Sequence, residues 1–157
     1  MKLLRATKSN YLFHLSNREK TLLLQLLNLY PRVPPGHQKA TKSEAAHLQE
    51  SQRLLDQALA EQRAATRKIV QAFITDSRRF TKAQDGFNLS VSPSEMEWLL
   101  QVLNDVNVGS WLNLGSPTPR LNIRELNENN AQDFLMMGIA TDFQAQFLEA
   151  LEKQRGG

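Results

Sequence analysis

Glu44-Ala45-Ala46-His47 sets a carboxylate and an imidazole three residues apart, a spacing that on a helix puts both on one face, as in the half-motifs of di-iron bundles. A complete site of that kind needs a second Glu-x-x-His and further glutamates. The other two histidines, His14 and His37, instead have Tyr11 and Pro34 three residues before them. The pair therefore reads as solvent-facing groups at a helix start, and no metal is expected. Serine nucleophiles need a base and an orienting acid, but the chain has no Gly-x-Ser-x-Gly, His14 falls in an expected strand and His37 in a proline-rich loop. Val108 to Gly115 contains two glycines without Walker spacing or a following lysine, and it closes a helix instead of opening one. Gly109 is expected to serve close packing, where a missing side chain admits another backbone. Among the carboxylates, Glu95 is accounted for as a helix cap, and Glu97 and Asp105 lie eight residues apart as solvated groups. The absence of cysteine removes disulfides, thiolate nucleophiles, zinc ribbons and iron–sulfur clusters together. The sequence thus points away from an enzyme and calls for no cofactor.

The 157 residues fit one domain, 1–157, and 41% hydrophobic with 22% charged residues is ordinary globular usage. The richest apolar run, Leu22 to Leu29, is interrupted by Gln25 and Asn28 and falls far short of the roughly 20 residues that span a bilayer. Met1 to Asn10 carries Lys2, Arg5 and Lys8 and lacks the apolar block of a signal peptide, so a cytoplasmic location without membrane contact is expected. Charge is uneven. Residues 1–83 hold fifteen Lys and Arg against six Asp and Glu, a balance of +9, and residues 84–157 hold four against ten, a balance of −6. Such asymmetry fits either an acidic partner for the first part or two parts that attract one another.

The elements that must position these groups follow from patterning. Lys2 to Thr7 and the alternating Tyr11 to Leu15 read as a hairpin about Lys8-Ser9-Asn10. Ser16-Asn17-Arg18-Glu19 is a capping box opening a leucine-rich helix to Tyr30, which Pro31, Pro34, Pro35 and Gly36 end. From Ser43 to about Lys82 there is neither Gly nor Pro, which predicts one long helix or two. At 100° per residue, Leu48, Leu55, Leu59, Ile69, Val70 and Phe73 share an apolar arc, and Arg53, Arg63, Arg67, Arg78 and Lys82 gather roughly opposite. Unbroken, that helix would reach about 60 Å against a domain diameter of roughly 40 Å. Either it breaks, near Glu61-Gln62-Arg63, or its excess length packs on a second copy. After Asp85-Gly86, Phe87 to Val91 alternates as a third strand, and Ser92-Pro93-Ser94-Glu95 is a second capping box opening a helix to about Leu114. A last helix runs from Ala131 to about Lys153. The expected fold is mainly α, with four to five helices and a short three-stranded antiparallel sheet.

Ser16 to Asn28 and Ser92 to Asn104 align without gaps at a spacing of 76 (92 minus 16), with seven of thirteen positions identical. Duplication and chance likeness between leucine-rich helices both give such an echo, and both predict one geometry. Leu15 and Val91 should lie on neighbouring strands of one sheet, with the helices after Ser16 and Ser92 on the same side.

Trp98-Leu99-Leu100-Gln101-Val102-Leu103-Asn104-Asp105-Val106, followed by Gly109 and Gly115, resembles the bacterial family known as domain of unknown function 2017. In that family a strand similarly enters an acidic helix start and a final helix like Phe143 to Leu151 closes the chain. Val106 and Asn107 stand where members often carry arginine, and Trp111 where they are typically polar. The resemblance implies a fold and no particular chemistry.

With no chemistry assembled, the sequence points to a non-enzymatic protein-interaction or regulatory module, bound to another protein or to itself as a homodimer. The alternative is a nucleic-acid-associated transcriptional regulator whose basic helix face is Arg53, Arg63, Arg67, Arg78 and Lys82. Only Phe73 and Phe80 accompany that face, and Phe73 belongs to the apolar arc.

Overall fold

Apolar and polar residues alternate over Tyr11–Leu15, and the result is strand β2, whose Tyr11, Phe13 and Leu15 are buried while Leu12 and His14 are half-buried. The computed structural model describes residues 1–34, 46–116 and 127–156, with residues 46 and 47 as backbone alone. Strand β1 (Lys2–Ala6) pairs antiparallel with β2 as the expected hairpin, interrupted by a bulge at Leu4. Helices α1 (Asn17–Asn28) and α2 (Ala46–Thr75), strands β3 (Phe80–Ala83) and β4 (Gly86–Val91), and helices α3 (Pro93–Asn113) and α4 (Ala131–Gly156) follow.

The described strands form one four-stranded antiparallel sheet in the order β1-β2-β4-β3. This corrects the reading of a mainly α domain with three strands: the molecule is mixed α/β, helix-rich, with a sizeable sheet. The additional strand is β3, whose four residues, Phe-Thr-Lys-Ala, are too few to show alternation and include two good helix formers. What makes them a strand is tertiary pairing, Phe80 opposite Leu89 and Lys82 opposite Phe87. The hairpin between β3 and β4 turns at Asp85, with φ of 63°, and Gly86, with φ of 154°. A side chain at Gly86 would run into the carbonyl of Leu15, so the turn accepts only glycine there.

Both capping boxes are present: Ser16 Oγ accepts from the Glu19 amide and Ser92 Oγ from the Glu95 amide, while each glutamate returns to the serine amide. Each cap contributes about 1 kcal/mol. Pairing of β2 with β4 puts Tyr11 opposite Val91, Phe13 opposite Leu89 and Leu15 opposite Phe87. Leu15 and Val91 therefore do lie on neighbouring strands. The spacing of 76 carries Phe13 onto Leu89 and exchanges the two outer pairs, so the ladder maps onto itself about its centre. The echo extends to the whole order, a hairpin and two helices twice over.

Residues of α1 and α3, including Leu23, Leu27, Met96, Leu99 and Leu103, share one core with the inward face of the sheet. Helix α4 buries Met136, Met137, Ala140, Phe143, Phe147 and Ala150. Its counterpart in order, α2, buries only Val70 and Phe73 of its described side chains. That helix does not break near Glu61-Gln62-Arg63: its 30 residues run continuously, about 45 Å at 1.5 Å each, and stop at Thr75, seven residues before Lys82.

Candidate functional site

The arginines of the expected basic face are spread over several elements with different tasks. Arg53, exposed on α2, is gripped by Glu50, with Nη2 2.5 Å from one carboxylate oxygen and Nε 3.1 Å from the other. That grip holds the Glu50 carboxyl below its ordinary range and raises the guanidinium. Arg63 is half-buried beside Tyr30, whose phenol is pushed up by burial. Arg67 donates through Nη1 to the carbonyl oxygens of Tyr30 at 2.5 Å and Asn28 at 3.2 Å, satisfying acceptors left open where α1 ends. Arg78 lies beyond α2, fully exposed, with Nε 3.7 Å from Asp76. Lys82 is exposed on the edge strand β3, where a charge discourages strand addition. The structure thus keeps Arg53, Arg63 and Arg67 on one helix and puts Arg78 and Lys82 past its end.

Other groups with chemical potential are equally engaged. Asp105 accepts the backbone amides of Arg32 at 2.6 Å and Val33 at 3.3 Å, and the Arg32 guanidinium pairs with Asp133. Gly109 is where the Arg32 segment crosses α3, since a Cβ there would sit 2.6 Å from the Arg32 carbonyl carbon. The expectation of close backbone packing at Gly109 is met. Asp105, read as solvated, instead anchors the chain leaving α1, through partners more than 70 residues away that no local pattern announces. Glu95 is both cap and partner of Arg79, with Nη2 2.5 Å from Oε2. His14 Nδ1 lies 3.2 Å from Asn88 Oδ1 on the outward face of the sheet. Glu44 and His37 fall outside the described residues, as does the side chain of His47. Among the described residues no three His, Asp or Glu are grouped as metal ligands.

Compared with protein-family models, curated proteins and solved structures, the chain matches none. Its surfaces must therefore be read on their own terms.

A cleft of about 260 Å³ lies between β1 and α4, floored by Phe13 and Ala150 and rimmed by Gln146, Glu149 and Lys153. It falls below the roughly 300–1,000 Å³ of most small-molecule sites. Two larger surfaces stand open. One is the outward face of the sheet, with exposed Lys2 and Arg5 beside half-buried Leu12 and His14, and none of the described strands supplies a carboxylate. The other is on α2. Measured at 100° per residue, Leu54, Ala58, Ala65, Ile69 and Ala72 fall within about 60° of arc, and all five are exposed. Leu54 is 53% exposed and Ile69 47%, which takes Ile69 out of the apolar arc assigned to the core. This second arc is visible in the sequence once the alanines are counted as apolar surface and not merely as helix formers. No described helix is long and apolar enough to cross a membrane.

Proposed function

We propose that the chain is a cytoplasmic, non-enzymatic protein-interaction or regulatory module that binds through the outer stripe of α2. The resemblance to the domain of unknown function 2017 family belongs to the same proposal. The observation that carries it is the exposure of Leu54 and Ile69 in line with three alanines, on a helix that spends few of its side chains on the core. Aligned exposed apolar residues mark contact surfaces more often than scattered ones. The groups able to do chemistry, by contrast, serve as caps and struts: Glu95, Asp105 and Arg67 each hold backbone in place.

The second reading is a nucleic-acid-associated transcriptional regulator, favoured by the carboxylate-free outward sheet face with Lys2, Arg5 and nearby Lys8, and no longer by Arg53, Arg63, Arg67, Arg78 and Lys82, which do not share one face. Affinity capture from lysate of the source cells, with and without nuclease, separates the two. A protein partner that survives nuclease and is lost with Leu54→Glu/Ile69→Glu is the expected result. Nuclease-sensitive capture, lost instead with Lys2→Gln/Arg5→Gln/Lys8→Gln, would transfer the function to the sheet. Salt-dependent binding to random duplexes should then lose up to about three units of slope in that variant.

A further inference from the structure

We propose that the occupant of the α2 stripe is a second copy of this chain, seated antiparallel with Leu54 of each copy beside Ile69 of the other; the inference rests on the reading of α2 as a contact surface. The stripe is itself symmetric. A two-fold contact requires that residue i meet residue j and residue j meet residue i. Pairing positions that sum to 123 places Leu54 with Ile69, Ala58 with Ala65, and Ser51 with Ala72, all six exposed and within the same arc of the helix. The set is closed: every member's partner is another member. Leu54 and Ile69 meet in two intermediate layers, with alanines at the centre and Ser51 against Ala72 at the ends, so the axes can approach to about 8 Å without collision.

Charge follows the same operation. On one flank of the stripe lie Glu50, Glu61 and Lys68; in the paired helices Glu61 of each copy comes level with Glu61 of the other at the two-fold axis, and Lys68 of each copy, lying between Glu61 and Glu50 of the other, offsets that central pair. Glu50 already holds Arg53, whereas Glu61 receives only a 3.4 Å hydrogen bond from Gln57, and Lys68 forms no ion pair among the described residues. The stripe extends about 32 Å, 21 steps of 1.5 Å. A contact of that length buries less than the roughly 1,600 Å² of a standard stable interface, so the association is expected to be weak and concentration-dependent.

The chain has no cysteine, which makes a crosslinking test clean. Leu54 and Ile69 of one helix are about 22 Å apart, beyond the roughly 7 Å that a disulfide can bridge, so any bond joining the two positions joins two chains. Mixing Leu54→Cys with Ile69→Cys protein under mild oxidation should yield covalent heterodimer at least about tenfold faster than either variant alone, and wild type should sediment increasingly as dimer toward about 100 µM. A strictly monomeric wild type, or Leu54→Cys protein that joins to itself as fast as the mixture, would overturn the antiparallel pairing. If the chain is monomeric yet Leu54→Glu/Ile69→Glu still loses a captured partner, self-pairing fails and the interaction module stands; if that variant loses nothing, both fail.

Discussion

Truncating Phe147 to alanine is expected to cost about 3–5 kcal/mol, read as a shift of the urea midpoint at unchanged slope. Phe147 is fully buried and meets Phe13 edge-to-face, with centroids 5.3 Å apart and planes at 89°. Phe13 sits at the centre of the β2–β4 ladder, opposite Leu89, so this ring joins the last helix to the middle of the sheet. Removing it forfeits the transfer free energy of the ring, leaves a cavity, and loses about 0.5–1.5 kcal/mol of aromatic pairing. Against a total stability of about 5–15 kcal/mol, the variant should be marginally folded.

Gly109→Ala should also destabilise, by about 1–3 kcal/mol, although alanine is the better helix former by about 1 kcal/mol. The added methyl would lie 2.6 Å from the Arg32 carbonyl carbon and 2.7 Å from its Cβ and Cγ, and backbone is the part least able to yield. Asp105 lies one turn earlier on the same face of α3, and Asp105→Ala acts on the same segment by freeing the amides of Arg32 and Val33. Because both substitutions loosen one crossing, their costs should fall short of additivity when combined. A double-mutant cycle in urea measures this, and simple addition would mean that the two contacts hold the segment independently.

What could be read from the sequence was local. Ser16 with Glu19 and Ser92 with Glu95 place helix starts correctly because a capping box is complete within four residues. Alternation in β2 and β4 is long enough to show, and the spacing of 76 foretells which strands pair. Strand β3 is invisible because its identity comes from β4 and not from Phe-Thr-Lys-Ala. The same holds for Asp105, whose partners lie across the fold. The basic face requires a helix that reaches Lys82; α2 ends at Thr75, and the spiral that aligns Arg78 and Lys82 with the others ends there too. Arg67 has the spacing of a surface arginine, and only the position of α1 shows that it caps backbone.

The two halves also differ in a way the echo hides. Helix α4 carries six buried residues, whereas α2, second helix of the first half, carries two among its described side chains and turns a separate apolar stripe outward. The repeated order of elements thus closes its core with one long helix and leaves much of the other outside it.

If Leu54 and Ile69 serve contact and not folding, the urea midpoint of Leu54→Gln/Ile69→Gln shows it most directly, measured at about 1 µM, dilute enough that weak self-association contributes little. Both positions are exposed and glutamine is a good helix former, so stability should stay within about 0.5 kcal/mol of wild type. A loss of about 2 kcal/mol or more would mean that these side chains belong to the core. The stripe would then not be free for a partner.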